Sequence, residues 1–286
     1  MAEASAKNNS ESQTNKSFLV CLARAFGGAL IFSFPMLMTM EMWHLGFYMD
    51  RFRLALFMFL AVPLLVGLSY YDGFEDTFTT KDDVIDAFVA YAVGFAAAAV
   101  ILFLFGQIKA EMSADEIIGK ISLQAVTAAL GSMFAQSLLG GDDDSKKDSD
   151  EKKRSANYFG QLFLMIVGAV FLSMSLAMTE EMVLISYQMS DLLSAALAIF
   201  TILLMHGFVY AAEFAGHEKH HSPDTPFWSV FLRFTVVGYA IVLLVSFYIL
   251  WTFGSLDGLG FEEQLKAVIV LGLPAALGAS ASRLIL

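Results

Sequence analysis

Cysteine and basic residues are scarce in this sequence. Cys21 is the only cysteine in 286 residues, which excludes a disulfide within the chain and a cysteine metal cluster. The chain has 17 lysines and arginines against 28 aspartates and glutamates, a formal net charge of −11. A nucleic-acid-binding protein needs a basic face, so nucleic acid is not an expected partner. The pattern Gly-x-x-x-x-Gly-Lys-Ser/Thr is also absent, which argues against a self-contained ATP-driven pump.

Long apolar runs dominate what is present. Hydrophobic residues make up 57% of the chain and charged residues only 16%, whereas soluble domains are about 45–50% apolar. A helix needs about 20 apolar residues to cross a bilayer, and a helix satisfies its own backbone polar groups in lipid. The sequence therefore predicts an all-α polytopic membrane protein surrounded by a lipid bilayer. The eight predicted transmembrane helices begin near Phe18, Phe52, Val84, Ile117, Tyr158, Leu192, Phe227 and Leu265, and Gly272, Pro274 and Gly278 interrupt the last.

The sequence also contains an internal repeat, which decides how the whole fold is interpreted. Met-Thr-Met-Glu-Met-Trp at 38–43 recurs as Met-Thr-Glu-Glu-Met-Val at 178–183. We predict two four-helix repeats, residues 17–139 and 158–286. An even number of helices makes the repeats parallel, related by an axis along the membrane normal. The same register pairs Gly28 with Gly168, Ser33 with Ser173, Met49 with Met189 and Gly67 with Gly207, and with small shifts it ends with Ala-Ala-Leu-Gly at 128–131 and 275–278.

Two polar segments lie outside the repeats. Residues 1–16 are rich in serine and asparagine and lack the charged, apolar and small-residue regions of a cleaved signal peptide. We expect them to form a disordered N-terminal tail. Residues 140–157 form a charged, low-complexity stretch, which predicts a mobile cytoplasmic linker. Its aspartates lack the glycine and the final glutamate of an EF-hand loop, so we interpret it as a solvated tether.

The lysines and arginines are unevenly distributed over the predicted topology. If all eight runs span the membrane, ten of these residues lie on the side that carries both termini. The opposite side holds only Arg51, Arg53, Lys109 and Lys266. Because cytoplasmic loops carry an excess of basic residues, we predict that both termini are cytoplasmic.

Each repeat carries acidic residues at the predicted outer end of its first helix. These are Glu41 in the first repeat and Glu180 and Glu181 in the second, at the outer ends of predicted helices 1 and 5. Ionisable residues at membrane depth are costly and often mark ion pathways. Two repeats about a common axis would bring these carboxylates towards each other, and Thr39 and Thr179 would add hydroxyl oxygens, the kind of ligand that Ca²⁺ prefers. We predict an ion pathway and a metal site here; the alternative is hydrated helix ends in the headgroup layer.

Two further features bear on this site. Pro35 lies one to two turns before Glu41 and is expected to kink or interrupt the first helix, which would free backbone carbonyls. An acidic rim raises the local concentration of cations, although the cytoplasmic side of this chain is also acidic. The predicted outer side carries Glu41, Asp50, Glu111, Asp115, Glu116, Glu180, Glu181, Asp191, Asp257, Glu262 and Glu263.

A competing motif lies at 217–221, where His-Glu-Lys-His-His satisfies the pattern His-Glu-x-x-His. On a helix this spacing puts two histidines on one face to bind zinc, with the glutamate as the base of a metalloprotease. Gly216 and Pro223 leave little room for two helical turns here, and the first repeat has no equivalent. We interpret the motif as a hydrated cytoplasmic loop, with a metalloprotease built on His217, Glu218 and His221 as the alternative.

The run from Arg24 to Phe74 carries a family resemblance. Its motifs are Gly27-Gly28-Ala29, Pro35-Met-Leu-Met-Thr-Met-Glu-Met-Trp43 and Val66-Gly-Leu-Ser-Tyr-Tyr71. In these it resembles a bacterial family of eight-helix integral membrane proteins of unknown function, over nearly the whole chain apart from the tail and the linker. The resemblance implies the helix count and a bacterial inner (plasma) membrane, and it supplies no activity or catalytic residues.

The residues thus predict a cation-translocating membrane protein with no enzymatic activity and no cofactor other than a bound cation. A channel is the first interpretation and Ca²⁺ the first cation to test. A secondary cation/proton carrier comes second, and a non-transporting scaffold whose linker recruits a partner is a further alternative. The pore could be formed by one duplicated chain or by a homo-oligomer.

Overall fold

The computed structural model describes residues 2–72, 79–139, 157–214, 228 and 231–285. The described chain is helical and contains no strand. The predicted linker, apart from Asn157, and the motif at 217–221 lie outside these residues. The helices are α1 (Ala2–Leu37), α2 (Met40–Tyr48), α3 (Arg51–Asp72), α4 (Thr80–Leu104), α5 (Ala114–Leu139), α6 (Tyr158–Leu176), α7 (Glu180–Gln188), α8 (Asp191–Phe214), α9 (Val237–Phe253) with a π-helical turn (Phe231–Val236) directly before it, and α10 (Phe261–Ile285).

Eight helical segments in the described part of the chain are long and apolar enough to cross a membrane, which confirms the predicted all-α polytopic architecture. They lie in α1, α3, α4, α5, α6, α8, α10 and the continuous helix formed by the π-helical turn and α9. Large apolar side chains such as Phe59, Phe159 and Leu203 point away from the bundle and are exposed. In a bilayer this exposed apolar surface faces lipid, because lipid tails solvate it without cost. The two nine-residue helices, α2 and α7, are additional to the eight predicted spans.

Two helices occupy the centres of the two halves of the bundle. Helix α5 packs against α1, α2, α3 and α4, and α10 packs against α6, α7, α8 and α9. These central helices have the most buried spanning segments, with 78% of the residues of the most apolar stretch buried in α5 and 61% in α10. The small side chains of Ala128, Ala129, Ala275 and Ala276 are completely buried, so neighbouring backbones approach closely, as is common between membrane helices.

Glycine pairs set the closest of these contacts. A Cβ atom added to Gly28 in α1 would lie 2.6 Å from the carbonyl oxygen of Gly131 in α5, and one added to Gly131 would lie 2.8 Å from the carbonyl oxygen of Gly28. Gly168 in α6 and Gly278 in α10 contact each other in the same way. Any larger residue at these positions would force the two backbones apart. The sequence register aligns Gly28 with Gly168 and Gly131 with Gly278, so the two glycine contacts lie at corresponding positions of the two halves. The duplication and its parallel axis stay predictions.

The two halves meet through aromatic side chains. Phe32 of α1 contacts Phe134 of α5 and Phe171 of α6, with ring centroids 6.3 and 5.5 Å apart, and the Phe134 and Phe171 centroids are 4.9 Å apart. Edge-to-face contacts of this kind are favourable beyond the area that they bury. The interface between the two halves is therefore filled by these three phenylalanine rings.

The structure differs from the sequence expectations at both ends of the chain. Helix α1 begins at Ala2, so residues 2–16 are helical rather than a disordered tail. This segment contains good helix formers such as alanine, glutamate and lysine, and it extends a helix that is already nucleated. Helix α10 runs through Gly272, Pro274 and Gly278 without interruption, because packing against four helices stabilises its backbone despite the hydrogen bond that proline removes.

Replacement of Gly28 by alanine tests the contact between α1 and α5. The added Cβ would collide with the backbone of Gly131, so we expect Gly28→Ala to lower the melting temperature of the protein in detergent. The expected cost is about 1–3 kcal/mol, as for overpacking in other cores. Gly27→Ala is the matched control, because no neighbour lies within 4 Å of a Cβ at that position and the helix propensity gained is the same. Equal melting temperatures for the two variants would contradict this contact.

Candidate functional site

Helices α2 and α7 follow short breaks at the ends of two spanning helices. The threonine before each short helix has an extended backbone, and its hydroxyl donates to a carbonyl of the preceding helix. Thr39 Oγ1 lies 2.9 Å from Met36 O, and Thr179 Oγ1 lies 3.0 Å from Leu176 O. Pro35 lies inside α1, which ends two residues later at Leu37. The glutamates therefore belong to separate short helices, and the prediction that they end the spanning helices themselves is wrong.

The carbonyl groups freed at these breaks find side-chain donors. Trp43 Nε1 of α2 donates to Leu37 O at 2.8 Å, which ties α2 back to the end of α1. In the second half Val183 occupies the position of Trp43, and its side chain has no hydrogen-bond donor. There the Ser255 hydroxyl, in the loop after α9, donates to Ala177 O at 3.2 Å. Since unpaired carbonyls are costly away from water, these bonds stabilise the turned ends of the two spanning helices.

The two short helices each form a wall of one cavity, which we call the vestibule. It has a volume of about 1110 Å³. It is lined by residues from 40–50, 178–187 and 252–257, together with Arg53. These segments contain the end of α9 and the approach to α3, so the vestibule lies at one end of the bundle. Several lining side chains, such as Tyr48 and Tyr187, are largely exposed, so the vestibule opens at the surface.

Four of the five predicted site residues line the vestibule. Glu41, Thr179, Glu180 and Glu181 are among its walls, whereas Thr39 lies in the break before α2 and is not part of the lining. Glu41 is half-buried, and Glu180 and Glu181 are exposed. Within the described ranges no lysine or arginine forms an ion pair with these three glutamates. They also lie in the first turns of α2 and α7, where the helix dipole favours a negative charge.

The three glutamates do not form a compact metal-binding cluster. Among the residues that the structure describes, no group of three or more histidine, cysteine, aspartate or glutamate side chains is placed to hold a metal ion. The hydroxyl hydrogens of Thr39 and Thr179 are also engaged by helix carbonyls. In this conformation the vestibule is therefore a wide space whose carboxylates are dispersed around its lining.

Arg53 crosses from one half of the bundle to the other at the edge of the vestibule. Its guanidinium donates to both carboxylate oxygens of Asp257 at 2.8 and 2.9 Å and to Trp251 O at 2.9 Å. It also lies over the Trp251 ring, 4.9 Å from the centroid. A bidentate pair with a stacked ring fixes the geometry of an arginine more tightly than a single ion pair does. Asp50 caps α3 by accepting from the Arg53 backbone N–H at 3.0 Å.

Sequence reasoning did not single out Thr252, which also lines the vestibule. Its side chain is completely buried, and its hydroxyl interacts with the side chain of Tyr248, one turn earlier in α9. In the sequence Thr252 is one small polar residue at the end of an apolar run, and such residues are common in membrane helices. Only its position beside the vestibule distinguishes it.

An aromatic pair lies between the vestibule and a second cavity. Phe253 lines the vestibule, and its ring is 5.7 Å from that of Phe57, measured between centroids. Phe57 lines an apolar crevice of about 320 Å³ between α3, α5, α6 and α9. Both phenylalanines are buried, and we call this pair the floor of the vestibule.

The remaining acidic residues of the predicted outer side lie outside the vestibule lining. Two of them have a different role, because Lys266 Nζ lies 2.8 Å from Asp191 and 2.6 Å from Glu262. These ion pairs tie the first turn of α8 to the first turn of α10. They therefore contribute to packing within the second half and leave the vestibule carboxylates as a separate set.

Comparison with known families places the whole of this site inside one matched region. Residues 21–286 match the model of a family described as “Putative integral membrane protein (DUF2391)”. The chain belongs to this family. The match confirms the resemblance seen in the sequence and identifies the chain as an integral membrane protein. Comparisons with curated proteins and with solved structures found no match.

Substitutions at the contact between the two halves should differ in their effects. We expect Arg53→Ala to lower the melting temperature more than Asp257→Asn does, because the arginine of the second variant keeps its contacts with the Trp251 carbonyl and ring. Asp115→Asn, at an exposed position at the start of α5 outside this contact, is the control. Thermal unfolding in detergent measures the melting temperatures. An equal decrease in Arg53→Ala and Asp257→Asn would show that the ion pair alone contributes to stability and that the contacts with Trp251 do not.

Proposed function

We propose that the protein translocates cations across the membrane, with the vestibule as the entry to the pathway. The observation that carries the proposal is that Glu41, Glu180 and Glu181, from two distant segments of the chain, line one cavity at one end of the bundle. Asp50 and Asp257 line it as well, and its single arginine is held by Asp257. A cleft lined by charge of one sign raises the local concentration of the opposite ion and repels anions.

A channel is the first form of this proposal, and Ca²⁺ is the first cation to test. Because the carboxylates are spread around a wide space, they would attract a hydrated cation rather than strip its water. Hydrophobic constrictions close channels by excluding water, and the Phe57–Phe253 pair on the vestibule floor has this character. A secondary cation/proton carrier is the alternative, and saturating, counter-ion-dependent flux would distinguish it from electrodiffusion.

The orientation of the pathway follows from the distribution of basic residues. We place both termini in the cytoplasm of a bacterial cell and the vestibule on the outer face of the plasma membrane, because the side opposite the termini carries few lysines and arginines. Each half contributes one wall, so one chain could supply the whole vestibule, with a homo-oligomer as the alternative. No enzymatic role is assigned.

The Glu41→Gln/Glu181→Gln protein tests the role of the carboxylates. In proteoliposomes we expect uptake of radiolabelled Ca²⁺ or monovalent cations to fall roughly tenfold or more, because the local enrichment of cations is lost. Glu111→Gln is the matched control, since Glu111 is exposed on the same predicted side and lies outside the vestibule lining. Equal flux in wild type and the double variant would exclude the vestibule as the entry, and a silent wild type under several voltages and pH values would favour the scaffold.

The floor of the vestibule can be tested separately. We expect Phe253→Ala to raise cation flux several-fold, because removal of the ring widens and wets the constriction between the vestibule and the crevice. Phe247→Ala is the control, since Phe247 lies on the same helix and is exposed on the outside of the bundle. Size-exclusion chromatography checks that both variants fold, and unchanged flux in folded Phe253→Ala protein would exclude this ring as the gate.

A further inference from the structure

We propose that the apolar crevice between the two halves of the bundle binds one acyl chain of a membrane phospholipid. The crevice has a volume of about 320 Å³ and lies between α3 of the first half, α6 and α9 of the second, and the central helix α5. Three of its properties carry the proposal: its depth in the membrane, its opening towards lipid and its apolar lining. None of them depends on the proposed cation pathway.

The crevice lies near the middle of the membrane. All of its lining residues belong to spanning segments. On α3 the lining runs from Phe57 to Leu64, within the span Arg51–Tyr71. At 1.5 Å per residue these positions lie about 9–20 Å from Arg51 along the helix, and the hydrocarbon core of a bilayer is about 30 Å thick. Acyl chains fill the membrane at this depth, whereas headgroups do not reach it.

The crevice opens sideways, towards lipid. Leu60 of α3 and Leu244 of α9 line it and are 41% and 68% exposed. Val126 of α5 and Ile249 of α9 line it as well and are only 1% and 0% exposed. The lining therefore extends from the outer surface of the bundle to its core. Because the medium around Leu60 and Leu244 at this depth is lipid, an acyl chain is the molecule that can enter.

The lining offers no binding group to water or to an ion. Among the described residues it is apolar apart from Tyr248, and the side chain of Tyr248 interacts with that of Thr252. An apolar cavity of about 150 Å³ stays dry and takes up benzene, and the crevice is about 320 Å³ in volume. The walls of a dry, empty cavity lose dispersion contacts. An acyl chain restores these contacts and needs no polar partner.

Short side chains from all four helices leave this space open. They are Ala61 of α3, Val126 of α5, Val170 of α6 and Val245 of α9. A leucine or phenylalanine at one of these positions would fill part of the crevice. The three phenylalanine rings that fill the interface between the halves elsewhere are not part of this lining. One part of the interface is therefore closed by rings, and another part is left for lipid.

An acyl chain in the crevice would contact the floor of the vestibule. Phe57 lines the crevice, and its ring lies 5.7 Å from that of Phe253, measured between centroids. A chain packed against Phe57 would therefore support the position of this ring pair. The lipid would thus become part of the interface between the two halves, and the membrane would act on the vestibule through it.

The test is photolabelling of the full-length protein in phosphatidylcholine proteoliposomes that contain a trace of phosphatidylcholine with a diazirine in the middle of one acyl chain. Mass spectrometry after illumination locates the labelled residues. We expect label on Val126 and Ile249, because a chain inside the crevice reaches these buried residues and lipid outside the bundle does not. Label confined to exposed residues such as Phe59 and Leu203 would overturn the inference.

Substitutions that fill the crevice test the site itself. We expect Ala61→Phe to lower the labelling of Val126 several-fold, because the ring occupies the space that the chain would take. Val170→Phe fills the crevice from α6 and should have the same effect, so the test does not rest on one variant. Ala55→Phe is the matched control, since Ala55 is exposed on α3 and lies outside the lining. Wild-type labelling of Val126 in either filling variant, with the melting temperature unchanged, would overturn the inference.

A change of headgroup tests whether the acyl chain alone is recognised. The same labelled chain on phosphatidylglycerol should label Val126 as strongly as it does on phosphatidylcholine, because the crevice lies at the depth of the chains. Labelling that depends on the headgroup would indicate a charged surface site and would overturn the acyl-chain site. Photolabelling requires no transport, so it can support the inference in a protein that carries no cation, and its failure leaves the proposed function unaffected.

Discussion

The contact on which the rest of the structure depends is the one between helix backbones at paired glycines. Gly28 with Gly131, and Gly168 with Gly278, bring the first spanning helix of each half directly against its central helix. In lipid, apolar burial does not drive helices together, so close packing and hydrogen bonds must do so. Once α1 and α6 are fixed against α5 and α10, the positions of the ends that lead into α2 and α7 are set. The vestibule walls start from those ends.

The walls themselves depend on two interruptions of helical structure. A spanning helix that continued past Leu37 or Leu176 would carry the glutamates straight out of the bundle. The breaks at Thr39 and Thr179 turn the chain, and Trp43 and Ser255 satisfy carbonyl groups that the turn leaves open. Irregular backbone near a membrane is tolerated where side chains restore its hydrogen bonds. The acidic residues thus reach one cavity because the chain leaves the helix in the same place twice.

Much of the fold was predictable because hydropathy and length alone define membrane spans. All eight predicted runs correspond to spanning segments, and the repeat register pointed to the glutamates that share the vestibule. The separate helices α2 and α7 were not predictable, since Glu41 follows Met38 and Thr39 with little change in polarity. The position of Thr252 beside the vestibule and the floor formed by Phe57 and Phe253 depend on how distant segments pack together, which a single sequence does not show. Polarity also misjudged residues 2–16, because it does not measure helix propensity.

The short loop after α9 makes polar contacts with elements on both sides of the bundle. Its Ser255 holds the carbonyl at the end of α6, in the second half, while its Asp257 holds Arg53 of α3, in the first. The loop begins with Gly254 and also contains Gly258, both with positive φ, a conformation that larger residues resist. Helix α2, by contrast, is tied to α1 within its own half by Trp43. Displacement of this one loop would therefore pull on α3 and α6 together while α2 stays in place, so the two walls of the vestibule are mechanically unequal even where their sequences correspond.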